Sequence, residues 1–205
     1  MTNQSFISVS RVSTRVLSCL AVVSLFLVTA LPLHAHHLPP GMEDVDEFED
    51  GAAFMAGLRH PLLGFDHWML ASVVGVLVVN GVCRSSKGLL SSLLGGVAVG
   101  ATLGVNAVVL PSGSMSLLFA LAIPLLLLMQ RGKLPISAQS GLIAFAALWQ
   151  GNIHGLAWPL EAATGSYIFG LVATTAILAF CGGVVAKVAQ SSALAASLSS
   201  SKPSL

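Results

Sequence analysis

Charge is what this sequence has least of. Asp, Glu, Lys and Arg make up 8% of its 205 residues, against about a quarter in soluble domains. With a mean hydropathy of +0.89, that shortage excludes a water-soluble globular domain. The net charge is +1 and no basic run occurs, which excludes a polyanion-binding surface and nucleic acid as a partner. The three cysteines, Cys19, Cys83 and Cys181, show no CxxC spacing. Neither a disulfide framework nor a zinc knuckle is indicated, and they read as small apolar residues. There is no P-loop string and no repeat of solenoid period, so nucleotide hydrolysis of that kind and repeat architectures are excluded as well.

What the chain does have is a succession of apolar runs. Residues 1–35 read as a cleavable signal peptide: Arg11 and Arg15 supply a basic start, 16–31 an apolar core, and Leu33-His34-Ala35 a small residue at the cut. Cleavage there would start the mature chain at His36-His37, where a free amine and an imidazole can chelate a divalent metal; a solvated pair without a role is the plain alternative. Residues 36–58 form an exported arm carrying Glu43, Asp44, Asp46, Glu47, Glu49 and Asp50. Such a cluster is ordinarily a solvated, weakly ordered segment; its functional reading is a collector of cations near an entrance.

The remaining chain predicts an all-α, polytopic membrane bundle over 59–188, with five transmembrane helices at 61–80, 88–110, 114–130, 136–158 and 166–186. Each approaches the roughly 20 residues that a bilayer helix needs. A Ser/Ala-rich cytoplasmic tail, 189–205, follows and reads as a frayed end, with an abortive sixth helix as the alternative. Arg84 and Lys87, Arg131 and Lys133, then Lys187 and Lys202 lie in alternate connections, while 111–113 and 159–165 carry no Lys or Arg. The positive-inside rule makes the basic connections cytoplasmic. The mature N-terminus then lies on the outer, periplasmic side of the plasma (inner) membrane, as the leader also requires. Gly96, Gly100 and Gly104 recur at four-residue spacing, a face on which a neighbouring helix can approach closely.

This topology gathers scattered polar residues at one depth. His60, Asp66 and His67 open the first span; Gln150, Asn152 and His154 close the fourth; Asn106 ends the second, and Glu161 and Tyr167 flank the start of the fifth. An Asp at bilayer depth costs on the order of 3 kcal/mol, so ionisable residues there usually mark a pathway or a site. The bland reading of Asp66 and His67 is a buried pair joining two helices. For His154 it is a hydrogen bond across helices, and for Glu161 a solvated loop charge. With both His60 and His67 in one helix their side chains would stand about 10 Å apart, too far to share an ion. Pro61, at home in a first helical turn, instead puts His60 at the cap, free to bend over the opening.

The string His60-Pro61-Leu62-Leu63-Gly64-Phe65-Asp66-His67 resembles the signature of the HupE/UreJ family. These are hydrogenase and urease accessory membrane proteins regarded as nickel or cobalt permeases. It is also close to the His-x4-Asp-His motif of the larger nickel/cobalt transporter family. The resemblance covers most of the chain and implies that His60, Asp66 and His67 handle the metal. The family commonly shows a second stretch, roughly His-Gly-His-x-His-Gly; here it reads Gln150-Gly151-Asn152-Ile153-His154-Gly155, with one histidine and two amides.

The leading expectation is therefore a permease and not an enzyme. It imports nickel or cobalt as cargo and holds no permanent cofactor. His60, Asp66, His67, His154, Asn152, Glu161, His36 and His37 are its candidate metal contacts. Imidazole and carboxylate suit nickel and cobalt, and zinc as well, whereas the soft ligands of copper(I) are absent from the set. Self-association and contact with metalloenzyme maturation proteins are left open as partnerships. Two other classes compete. One is a membrane haem protein with His67 and His154 as axial ligands. The other is an intramembrane metal hydrolase using His60, His67 and His154 for zinc and Asp66 as base.

Overall fold

The computed structural model describes residues 50–81, 86–111, 114–130, 133–158 and 162–200. The signal peptide, the cleavage point, His36, His37 and most of the acidic arm lie outside those residues, as does Glu161. Every element among them is helical: α1 (Asp50–Arg59), a 3-10 turn (His60–Leu63), α2 (Phe65–Val79), α3 (Ser86–Val105), α4 (Ser114–Gln130), α5 (Ile136–Leu156) and α6 (Thr164–Ser200). The chain divides into two units. One is His34–Val188; the other joins Met1–Leu33 to Ala189–Leu205, and of it only the helical end of α6 is described.

Within the larger unit the helices meet through glycines. A Cβ on Gly100 would run into the Leu148 carbonyl oxygen, and one on Gly104 into that of Asn152; from the other side, Gly151 and Gly155 leave no room beside Val97 and Ala101. The residues of α3 and α5 in contact rise together along both chains, so these two helices run in the same direction. The four-residue glycine spacing is thus a helix–helix seam, in which dispersion contacts replace the hydrophobic drive that lipid cannot supply. A second seam holds α2 to α6, where Gly75 meets the Ala179 carbonyl and Gly182 that of Ser72. Leu70, Val74 and Leu77 of α2 join Leu89 and Leu93 of α3 and Ile143 of α5 in the buried core.

The structure bears on two boundaries. The end of the arm that the structure describes is ordered: Asp50–Arg59 is a helix that buries Ala53, Ala56 and Gly57. It is tied to α6 where Thr174 Oγ1 donates to the Leu58 carbonyl at 2.7 Å and Ser166 Oγ donates to Asp50 at 3.0 Å. Of the two readings of the tail, a frayed end or a further helical piece, the described residues are helical: α6 runs on to Ser200.

Two helices among the described residues, Ser86–Val105 and Thr164–Leu194, are long and apolar enough to cross a membrane. The pair Asp50–Leu63 and His67–Val79, bent by 81°, would make a third if it is one broken span, and Met115–Gln130 is apolar but shorter. Helix α5 is not among them: it carries Gln139, Gln150, Asn152 and His154, all buried. Those polar residues dilute its apolar character and are what the bundle encloses. Among the described residues the chain is all-helical, with two candidate membrane spans, or three if the bent pair is one.

Candidate functional site

Gly64 is where the site begins. Its extended backbone (φ −109°, ψ 122°) separates the 3-10 turn from α2. The indole of Trp68 donates to the Leu62 carbonyl at 3.0 Å, stapling the turn to the helix that follows. Pro61, at the start of the turn, lacks the N–H that a longer helix would need. The break swings His60 back toward α2, so that the His60 and His67 rings stand 6.5 Å apart between centroids. An unbroken helix would not bring them that close.

The first turn of α2 meets the last turn of α5. His154 Nε2 lies 2.9 Å from His67 Nδ1, and the two rings cross at 68° with centroids 3.7 Å apart. The His60 ring meets His154 edge-on at 4.7 Å. His154, 87 residues from His67 in sequence, is thereby gathered with His60 and His67 at one end of the bundle. His67 and His154 are buried, and His60 is half-buried. Tyr167 of α6, itself buried, donates its hydroxyl to the His154 carbonyl at 3.0 Å and so fixes the end of α5.

Beside the imidazole pair is a cavity of about 10 Å³ lined by Pro61, His67, Val97, Gln150, His154, Leu171 and Thr175. That is the size of a single water or bare ion. Two buried polar atoms at this place have no hydrogen-bond partner among the described residues: His154 Nδ1 and Gln150 Nε2. Leaving such a group unpaired costs about 1–3 kcal/mol. No three His, Cys, Asp or Glu residues among those described are arranged to hold one ion together. In the pair, the facing nitrogens of His67 and His154 contact each other.

The other candidates fall elsewhere. Asp66 sits in the first turn of α2, and its side chain lies outside the described residues. Asn152 does not line the cavity. Its amide accepts from Leu110 N at 3.1 Å and donates to the Val108 carbonyl at 2.8 Å and the Gly100 carbonyl at 3.5 Å. Here it clamps the chain after α3, where Ala107 takes a left-handed φ of 59° to turn back. Asn106 is exposed and donates to Thr102 O at 2.7 Å. Sequence reasoning treated Gln150 only as company for the histidines. Its four-residue spacing from His154, which puts both on one face of α5, was the signal that could have promoted it.

The geometry bears on the competing chemistries. Two imidazoles in direct contact leave no room for a macrocycle between them, so the haem reading gains nothing. A cavity the size of one ion gives a hydrolase substrate no space.

Comparison with known proteins adds the lineage. The family model described as HupE / UreJ protein matches residues 23–200. The chain is 27% identical over 128 residues to a protein of Rhizobium leguminosarum bv. viciae named Protein HupE, covering 62% of this chain and 67% of that one. No solved structure matches.

Proposed function

The chain belongs to the HupE/UreJ family, and on that premise we propose that it is a permease, not an enzyme, importing nickel or cobalt across the plasma (inner) membrane. In this reading five spans cross the bilayer with the mature N-terminus outside. The acidic arm and His36-His37 gather cations at the entrance, with Glu161 near the same mouth. His60, Asp66, His67 and His154 form the intramembrane station that the ion must pass. The metal is cargo, and no cofactor stays bound. Metalloenzyme maturation proteins are its proposed recipients.

One observation carries the reading: histidines from α2 and α5 meet, buried, beside a space of single-ion size. His154 keeps a buried ring nitrogen, Nδ1, with no hydrogen-bond partner beside that space. Few and largely neutral ligands suit a site from which the ion must leave again. Imidazole also fits nickel and cobalt better than magnesium or calcium. Cells expressing the protein are expected to accumulate nickel, and His67→Ala or Asp66→Ala to abolish that accumulation. Undiminished uptake by both variants would sink the proposal.

A further inference from the structure

Resting on the permease reading, we infer that the seat of the ion is the face of His154 turned away from His67: His154 Nδ1 and the Gln150 side-chain amide hold the cargo, and His67 orients His154 rather than binding the ion itself. The argument starts from the two unpartnered atoms. His154 is 3% exposed and Gln150 4% exposed, and both line the same cavity of about 10 Å³. A bundle that satisfies its other buried amides leaves these two bare at one place. Something polar, and small enough for a single-ion space, completes them.

The proposed division of labour takes one of the two tautomers open to the pair. In neutral imidazole one ring nitrogen carries hydrogen and the other a lone pair. If His154 Nε2 donates in the 2.9 Å hydrogen bond, His67 Nδ1 accepts. The lone pair of His154 is then on Nδ1, directed away from His67 and available to a cation. This is the arrangement usual around metal-bound histidines, in which the far ring nitrogen donates to a neighbour that sets tautomer and ring angle. The ion can then bind without breaking the His67–His154 hydrogen bond. Gln150 presents either amide atom to the cavity after a half-turn of its terminal torsion, since nitrogen and oxygen occupy near-equivalent positions. In the bound state its oxygen faces the ion as a neutral donor. One imidazole and one amide make a weak seat, which suits release.

The experiment uses the purified full chain in detergent, titrated with nickel chloride alone, for the wild type and four variants. Gln150→Leu removes the oxygen and is expected to weaken binding about tenfold; Gln150→Glu keeps the shape, adds charge, and is expected to tighten it about tenfold. A role in packing alone would not give opposite signs. His154→Asn is expected to lose binding. His67→Asn, whose Oδ1 can accept where Nδ1 did, is expected to weaken binding about tenfold by loosening the hold on His154, and so to lose less than His154→Asn. Wild-type protein that binds no nickel would overturn the permease reading and this seat together. Wild-type binding with both Gln150 variants unchanged would overturn the seat alone. Loss in His67→Asn as complete as in His154→Asn would make His67 a ligand and overturn its orienting role. Thermal unfolding of each variant separates lost binding from lost fold, and the gain expected for Gln150→Glu does not depend on that control.

Discussion

Two faces of one helix make opposite use of buried amides. On the face of α5 turned to α3, glycines bring backbones into contact and Asn152 spends its carboxamide on three backbone groups. On the face turned to α2 and α6, Gln150 and His154 keep unpartnered atoms beside a small cavity. Both faces are buried and both carry polar residues, so burial does not distinguish them. Satisfaction does. A membrane interior punishes an unpaired polar group, so the seam has the marks of architecture and the bare pair the marks of a station for something that comes and goes.

The comparison breaks most visibly at the seam. Gly100→Leu would drive a side chain into the Leu148 carbonyl and separate α3 from α5. A loss of about 3 kcal/mol or more is expected, seen as failure to purify as a single species; a well-behaved variant would mean the seam is looser than described. Asn152→Leu comes next. It strands the Leu110 N–H and the Val108 carbonyl, at about 2–4 kcal/mol in chemical or thermal unfolding, while nickel binding by the folded fraction stays near wild type. A selective loss of binding would move Asn152 to the other side of the comparison.

Smaller effects sharpen it. Tyr167→Phe removes the hydroxyl held by the His154 carbonyl, with about 1 kcal/mol of stability lost and a modest weakening of nickel binding. Stability lost with binding untouched would show that α6 does not position His154. Ala107→Gly relieves a left-handed backbone at the turn after α3 and is expected to stabilise by up to about 1 kcal/mol, with no change in binding.

The sequence announced much of this and concealed a specific part. The seam was legible because a glycine every fourth residue has one steric meaning in an apolar helix. His60, Asp66, His67 and His154 were legible as candidates because ionisable residues in apolar runs are costly, and the proline after His60 signalled that it would not sit in the helix. Periodicity could not show that Asp50–Arg59 folds, since its helix is held by Thr174 and Ser166 of a distant element. Nor could it separate Asn152 from Gln150. They are two positions apart on one helix, and only knowing which neighbour each face meets reveals that one amide is satisfied and the other is not.

The most direct test of the central claim sets His154→Ala beside Asn152→Ala in proteoliposomes and measures nickel entry together with the unfolding midpoint. The account predicts that His154→Ala stops nickel entry while lowering the midpoint less than Asn152→Ala does. Asn152→Ala should lower the midpoint and leave entry per folded molecule intact. Nickel entry undiminished in His154→Ala, or lost equally in both, would contradict it.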